Sequence, residues 1–244
     1  SDRLHKNKKR DTIIYAPRNV SFDRPVDVIM WFHGLNGFAA RTFKTRVLSH
    51  TKFLSRSQGN YIIIVPEMPW SRNTHTTHSR QGRVFTRTGQ YSTFFNSCVE
   101  KINVILGRDP SKFKVGTVIL IGHSAGGSTL KSISKSGGLD WLYAHRRAKS
   151  IKIIFSDAGY GRWTETTWKN FKMRSSPKTE FILLTRKWDR PYNNTMKFLK
   201  KFKKIPSNIK HEVFNRKNMT HGQIGDQALS WAHMHTQMCC EQIE

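Results

Sequence analysis

The residues best placed by type and spacing to do chemistry are Gly122-His123-Ser124-Ala125-Gly126, at the end of the run VILIGHSAGG (Val118–Gly127). A serine hydroxyl attacks a carbonyl carbon only when a base takes its proton and the chain around it is held still. Here the serine follows an unbroken apolar run, which reads as a strand buried on both faces. It precedes Ser124–Ser136 (SAGGSTLKSISKS), whose spacing predicts a helix stopped at Gly137-Gly138. Glycine two positions before and two after the serine is the pattern of a nucleophile elbow. The bend is so tight that a side chain at Gly122 or Gly126 would strike neighbouring backbone, and its product is a hydroxyl held out above a sheet.

Five histidines follow Ser124: His145, His211, His221, His233 and His235. His221, in NMTHG, falls in the loop between the last expected strand (Val213-Phe214) and the last expected helix (Ile224–Met238). His145 comes soon after the elbow helix, His211 opens a strand, and His233 and His235 lie in the closing helix. A base also needs a carboxylate to hold its tautomer. Two aspartates end strands: Asp157 in FSDAGYG and Asp189 in LLTRKWDRP. Asp189 is flanked by Arg186, Lys187 and Arg190, which offers it an ordinary ion pair. Asp157 has no basic neighbour in sequence and is preferred, with Asp189 kept as the alternative.

The remaining elements follow from patterning. Strands are expected at Thr12–Ala16, Val26–Phe32, Tyr61–Val65, Val115–Ile121, Ile151–Phe155 and Phe181–Leu184, and helices at Ala39–Ser55, Phe94–Leu106 and Met196–Lys204. Strands alternating with helices imply a mostly parallel sheet covered on both faces. Ser1–Arg10 reads as a basic arm, and residues 11–244 as a single α/β domain without repeats.

With an HG-containing turn after an early strand (His33-Gly34), GHSAGG, acids at strand ends and a late histidine, the sequence resembles the α/β-hydrolase family over nearly its whole length. The resemblance implies a sheet of the eight-stranded type and a serine–acid–histidine order along the chain. It places the acid at the Asp157 position in pancreatic-type lipases and at the Asp189 position in most of the family. Two backbone N–H groups would hold the oxyanion, those of Ala125 and Leu35. Phe38, Trp70, Tyr160 and Trp188 would lie on loops near Ser124 and line an acyl or ring-binding cleft. His33 is expected to fix its turn, and His123 to pack beside the sheet. The chemistry implied is cleavage of a carboxylic ester through an acyl-enzyme, without a cofactor. Peptide or amide cleavage by the same groups is the nearest alternative.

Composition adds a partner argument. The chain has 244 residues and carries 42 Lys+Arg against 16 Asp+Glu, a formal charge of +26. Such a charge favours association with anionic cell-wall material, membrane surfaces or acidic polymers. It also supports a competing reading, a basic binding protein with a vestigial site. Nucleic acid is disfavoured as partner because no recognition motif is present. His75 and His78 (HTTH) have metal-compatible spacing but no third ligand nearby, so no metal site is expected. Three cysteines, Cys98, Cys239 and Cys240, allow at most one internal bridge, from Cys98 to the pair. No apolar segment approaches membrane-spanning length, and a secreted or periplasmic chain freed of its signal is favoured over a cytoplasmic one.

Overall fold

The computed structural model describes residues 12–17, 20–35, 37–48, 60–69, 84–105, 113–145 and 148–237. The basic arm, Trp70, the HTTH pair and Cys239-Cys240 lie outside the described residues. A seven-stranded sheet dominates, built from β1 (Thr12–Tyr15), β2 (Val26–Phe32), β3 (Tyr61–Pro66), β4 (Val115–His123), β5 (Ser150–Ser156), β6 (Thr179–Arg186) and β7 (Ile209–Phe214). Its order is β1-β3-β2-β4-β5-β6-β7. Only β1 runs antiparallel, against β3. The resemblance implied an eight-stranded type of sheet; among the described residues there are seven strands.

The strands read as apolar runs because both faces are covered. Along β2, Val28, Met30 and Phe32 join one core with Ile62, Leu120 and Phe155. Ile29 and Trp31 join the other with Ile63, Ile121 and Ile154. The second core is closed by α1 (Ala39–Thr42, continued by a π-helical turn at Phe43–Val47) and α7 (His221–Gln237). The first is closed by α2 (Gln90–Ile105), α3 (Gly127–Lys135), α4 (Gly138–His145), α5 (Trp163–Asn170) and α6 (Arg190–Leu199). Among the described residues no helix is long and apolar enough to cross a membrane.

Several boundaries differ from sequence expectation. Gly137 does stop the elbow helix, at φ +77°, but Gly138 opens α4 instead of a loop. The helix expected at Phe94–Leu106 begins earlier, at Gln90. The one expected at Met196–Lys204 begins at Arg190 behind Asp189 and Pro191, and ends at Leu199. Helix α5 was not expected at all. The closing helix begins at His221, three residues before Ile224, so that histidine is its first residue and not a loop residue. Cys98 is buried in α2 as a free thiol, pushed up to about 12 by desolvation.

Chain direction reverses between β2 and β4: the chain leaves β2 toward β3 on one side, and continues from β4 through β5, β6 and β7 on the other. In an open parallel sheet, such a reversal leaves a crevice beyond the carboxyl ends of the two strands.

Candidate active site

The sheet register brings the chemical groups together. Phe32 pairs with Gly122 across β2 and β4, and His123 pairs with Ser156 across β4 and β5. The residues that follow these ends are therefore His33, Ser124 and Asp157, side by side at one edge of the crevice.

Ser124 sits at φ +53°, a left-handed backbone that costs a non-glycine residue about 1–3 kcal/mol. The sharp turn is possible because of its glycines. A Cβ on Gly126 would stand 2.0 Å from the Phe32 carbonyl oxygen, and one on Gly122 would stand 2.8–2.9 Å from Leu130 and the Gly126 backbone. After the turn a single 3₁₀ turn, Ser124–Gly126, leads into α3. The β2 turn approaches from the other side, where a Cβ on Gly34 would lie 3.0 Å from that of Ser124.

That turn is braced from within. His33 Nδ1–H donates to the Gly34 carbonyl at 2.9 Å, and the opposite ring nitrogen lies 3.1 Å from both Glu67 Oε1 and the Met68 N–H. Glu67 also accepts from the Ala39 N–H at 2.9 Å, tying the turn to the start of α1. His33 thus holds its turn, as the sequence led us to expect.

His221 Nδ1 lies 2.6 Å from Asp157 Oδ2. Asp157 is fully buried and, like Ser124, adopts a positive φ, +46°. The start of α7 is fixed by five further hydrogen bonds. Thr220 and Gln223 cap each other reciprocally, Thr220 N–H to Gln223 Oε1 at 2.8 Å and Gln223 N–H to Thr220 Oγ1 at 3.3 Å. The Ser156 hydroxyl donates to the Ile224 carbonyl at 2.8 Å, and Arg46 donates to the carbonyl of Gly222. His123 Nε2–H donates to the His221 carbonyl at 3.0 Å, and the two rings lie 4.7 Å apart. Burial, then the neighbouring His221, pull the His123 pKa down to about 3, which keeps that ring neutral.

Asp189 has other partners. It pairs with Arg186 and lies 3.7 Å from Arg216 Nε. Arg186 Nε in turn stands 3.5 Å from Asp157 Oδ2, so one guanidinium lies between the two candidate acids. Sequence gave Asp157 no basic neighbour, but folding supplies this one from the adjacent strand.

Ser124, His221, Leu35, His33 and His123 line one cavity of about 460 Å³. Of the aromatic residues expected around it, Tyr160 interacts with the Ser124 side chain but does not line this cavity. Burial and then Asp157 raise the Tyr160 phenol above its ordinary pKa, against the opposing pull of a hydrogen bond to the Ser124 side chain. Phe38 is half-buried ahead of α1 and does not line this cavity. Trp188, 69% exposed with φ +70°, packs edge-on against Tyr192 beneath Lys187 and does not line it either. Two charged cavity residues had no signal in the serine–histidine pattern: Arg41 and Arg46, from α1 and its π-helical turn. Among the described residues no group of three or more His, Cys, Asp or Glu is arranged to hold a metal.

Solved structures share this architecture at low identity. A ferulic acid esterase matches with a TM-score of 0.59 at 16% identity, covering 93% of this chain and 92% of its own. FphF, a fluorophosphonate-binding serine hydrolase of Staphylococcus aureus solved with substrate bound, matches at 0.58 and 13%, covering 91% and 90%. LpqC, a poly(3-hydroxybutyrate) depolymerase from Bordetella parapertussis, matches at 0.53 and 15%, covering 91% and 83%. The fold is that of the α/β-hydrolases. No protein-family model matches the sequence, and no curated protein matches it. At these identities the likeness extends to the α/β-hydrolase fold, and the chemistry has to be argued from this chain's own residues.

Proposed function

We propose that the protein is a serine hydrolase that cleaves a carboxylic ester, with Ser124 as nucleophile, His221 as base and Asp157 as the orienting acid. The observation that carries this reading is the 2.6 Å contact between His221 Nδ1 and Asp157, on a histidine that shares a cavity with Ser124. A buried carboxylate accepting from Nδ1–H leaves Nε2 as the free acceptor of a serine proton.

In this reading the Ser124 hydroxyl adds to the substrate carbonyl as its proton passes to His221 Nε2. Negative charge develops on the former carbonyl oxygen, and the N–H groups of Ala125 and Leu35 stabilise it. The C–O bond to the alcohol then breaks, and the imidazolium returns its proton to the departing oxygen. Water, deprotonated by the same ring, releases the acid and restores the hydroxyl. His123 takes no proton, since burial keeps it neutral; it donates to the His221 carbonyl and so steadies the base. A small or polymeric ester is favoured over an amide because the solved neighbours of this fold include proteins named for ester substrates.

Fluorophosphonate labelling is the direct test. The native chain is expected to label, and Ser124→Ala to lose both labelling and turnover of short 4-nitrophenyl esters, the latter by about four to six orders of magnitude. Labelling that persists in Ser124→Ala would remove the serine from the mechanism. Salt-sensitive retention on anionic vesicles or DNA without any esterase activity would favour the basic binding protein instead.

A further inference from the structure

The cavity around Ser124 carries an unbalanced charge. Among the described residues its titratable lining is basic: Arg41, Arg46, His33, His123 and His221 contribute to it, and no aspartate or glutamate does. The acids just behind it are already engaged. Glu67 Oε1 lies 3.1 Å from His33 Nε2, and its other oxygen accepts from the Ala39 N–H. Asp157 is bound to His221, and Asp226 Oδ1 lies 3.2 Å from Arg46 Nη1. Arg46 is further held by the Gly222 carbonyl, where its guanidinium fills the space a Cβ on Gly222 would occupy. Arg41 differs. It is exposed at the cavity, one turn before Arg46, and among the described residues no carboxylate pairs with it.

We propose that this site selects esters bearing a second, anionic group, a carboxylate or a phosphate, and that Arg41 is the residue that binds it. The proposal rests on the serine-hydrolase reading above. A planar guanidinium with unused N–H donors recognises an oxyanion through paired charge-assisted hydrogen bonds, which a neutral ester cannot offer. Arg46, clamped by Asp226 and Gly222, carries a balanced charge and positions the start of α7 instead. The net charge of +26 brings anions to the whole surface. Arg41 converts that general attraction into selection at the reacting carbonyl.

The test pairs each charged ester with its neutral methyl ester. 4-Nitrophenyl hydrogen adipate places the carboxylate on the acyl side, and the butyrate ester of 4-hydroxybenzoate places it on the alcohol side. A third pair, the butyrate ester of 4-hydroxyphenyl phosphate against its dimethyl phosphate, distinguishes phosphate from carboxylate. We expect kcat/KM to favour the anion roughly tenfold in at least one pair. That ratio should collapse toward one in Arg41→Gln and fall between one and the native value in Arg41→Lys, which keeps the charge without the paired donors. It should survive in Lys135→Gln, a control at the far end of the helix that leaves the elbow.

Equal rates within every pair, with turnover still dependent on Ser124, would overturn the anion site and leave the hydrolase reading intact. If no ester is turned over at all, the hydrolase reading falls, and thermal stabilisation by monomethyl adipate reads the anion contact separately. A shift seen with the native chain, absent with dimethyl adipate and lost in Arg41→Gln, would support the contact. The same shift in Arg41→Gln as in the native chain would refute it.

Discussion

Asp157 and Asp189 are chemically alike and end neighbouring strands, yet their surroundings assign them different work. Asp157 is buried against His221 and contacts its Nδ1 directly. Asp189 is engaged by Arg186 and Arg216, and it stands at the N-cap position of α6 without a side-chain capping hydrogen bond. Asp157→Asn would present an amide that permits the wrong imidazole tautomer, and should lower kcat by about four orders of magnitude. Asp189→Asn should cost less than about tenfold, because it removes only a partly exposed ion pair. Steady-state ester hydrolysis on both variants checks this, and the opposite ranking would transfer the orienting role to Asp189.

His123 makes a second residue-scale prediction, on stability. Its folded pKa of about 3 lies below the ordinary 6.5, so between those values the unfolded chain binds a proton that the folded chain refuses. Its contribution is complete above pH 6.5 and is lost as pH falls, by up to about 1.4 kcal/mol per unit. Urea unfolding at pH 7.5 and 4.5 should therefore show the native chain losing about 2 kcal/mol more than His123→Gln, which keeps a donor without the titration.

At the scale of elements, α7 matters through its first turn. His221 follows the Thr220 cap directly, so whatever secures that cap also aims the proposed base. Thr220→Ala should cost about 1 kcal/mol, a drop in melting temperature of roughly 2–4 °C. Its loss of kcat should exceed what so small a destabilisation explains, because the lost bond orients the base. Melting curves and kinetics on one preparation check both halves.

The same turn shows what could be read from sequence and what could not. Thr220-His221-Gly222-Gln223 fits the Thr-x-x-Gln capping box, a local signal that places the N-cap at Thr220 and the helix start at His221. Apolar periodicity alone moved that start to Ile224. Helix α5 was hidden for a different reason. WTETTWKN is rich in threonine, a weak helix former, and its helicity depends on burying Trp168 against Phe181 and Phe198. The strands, by contrast, were legible because double-sided burial leaves continuous apolar runs. Ser124 was legible because the elbow's glycines are demanded by backbone crowding that a sequence displays directly. Arg41 and Arg46 were not, since nothing local says which way a surface-like arginine on α1 will face.

For the molecule as a whole, charge is the dominant feature. At +26 the folded state suffers self-repulsion that the more expanded unfolded chain relieves. Raising salt from about 0.01 M to 0.15 M shortens the screening length from about 30 Å to about 8 Å, and should raise the melting temperature at neutral pH. Scanning calorimetry across that range checks the sign, and a fall would show that specific ion pairs outweigh the net field.

The guanidinium of Arg186, lodged between the ends of β5 and β6, has a bearing on ancestry. It touches a carboxylate on each strand, and the α/β-hydrolase resemblance allows either strand to furnish the acid proposed to orient His221. A lineage that dropped Asp157 would still own Asp189, tethered to the same cation one strand away. Relocating the acid would then ask for a second placement of a carboxylate already present, and not for a new residue.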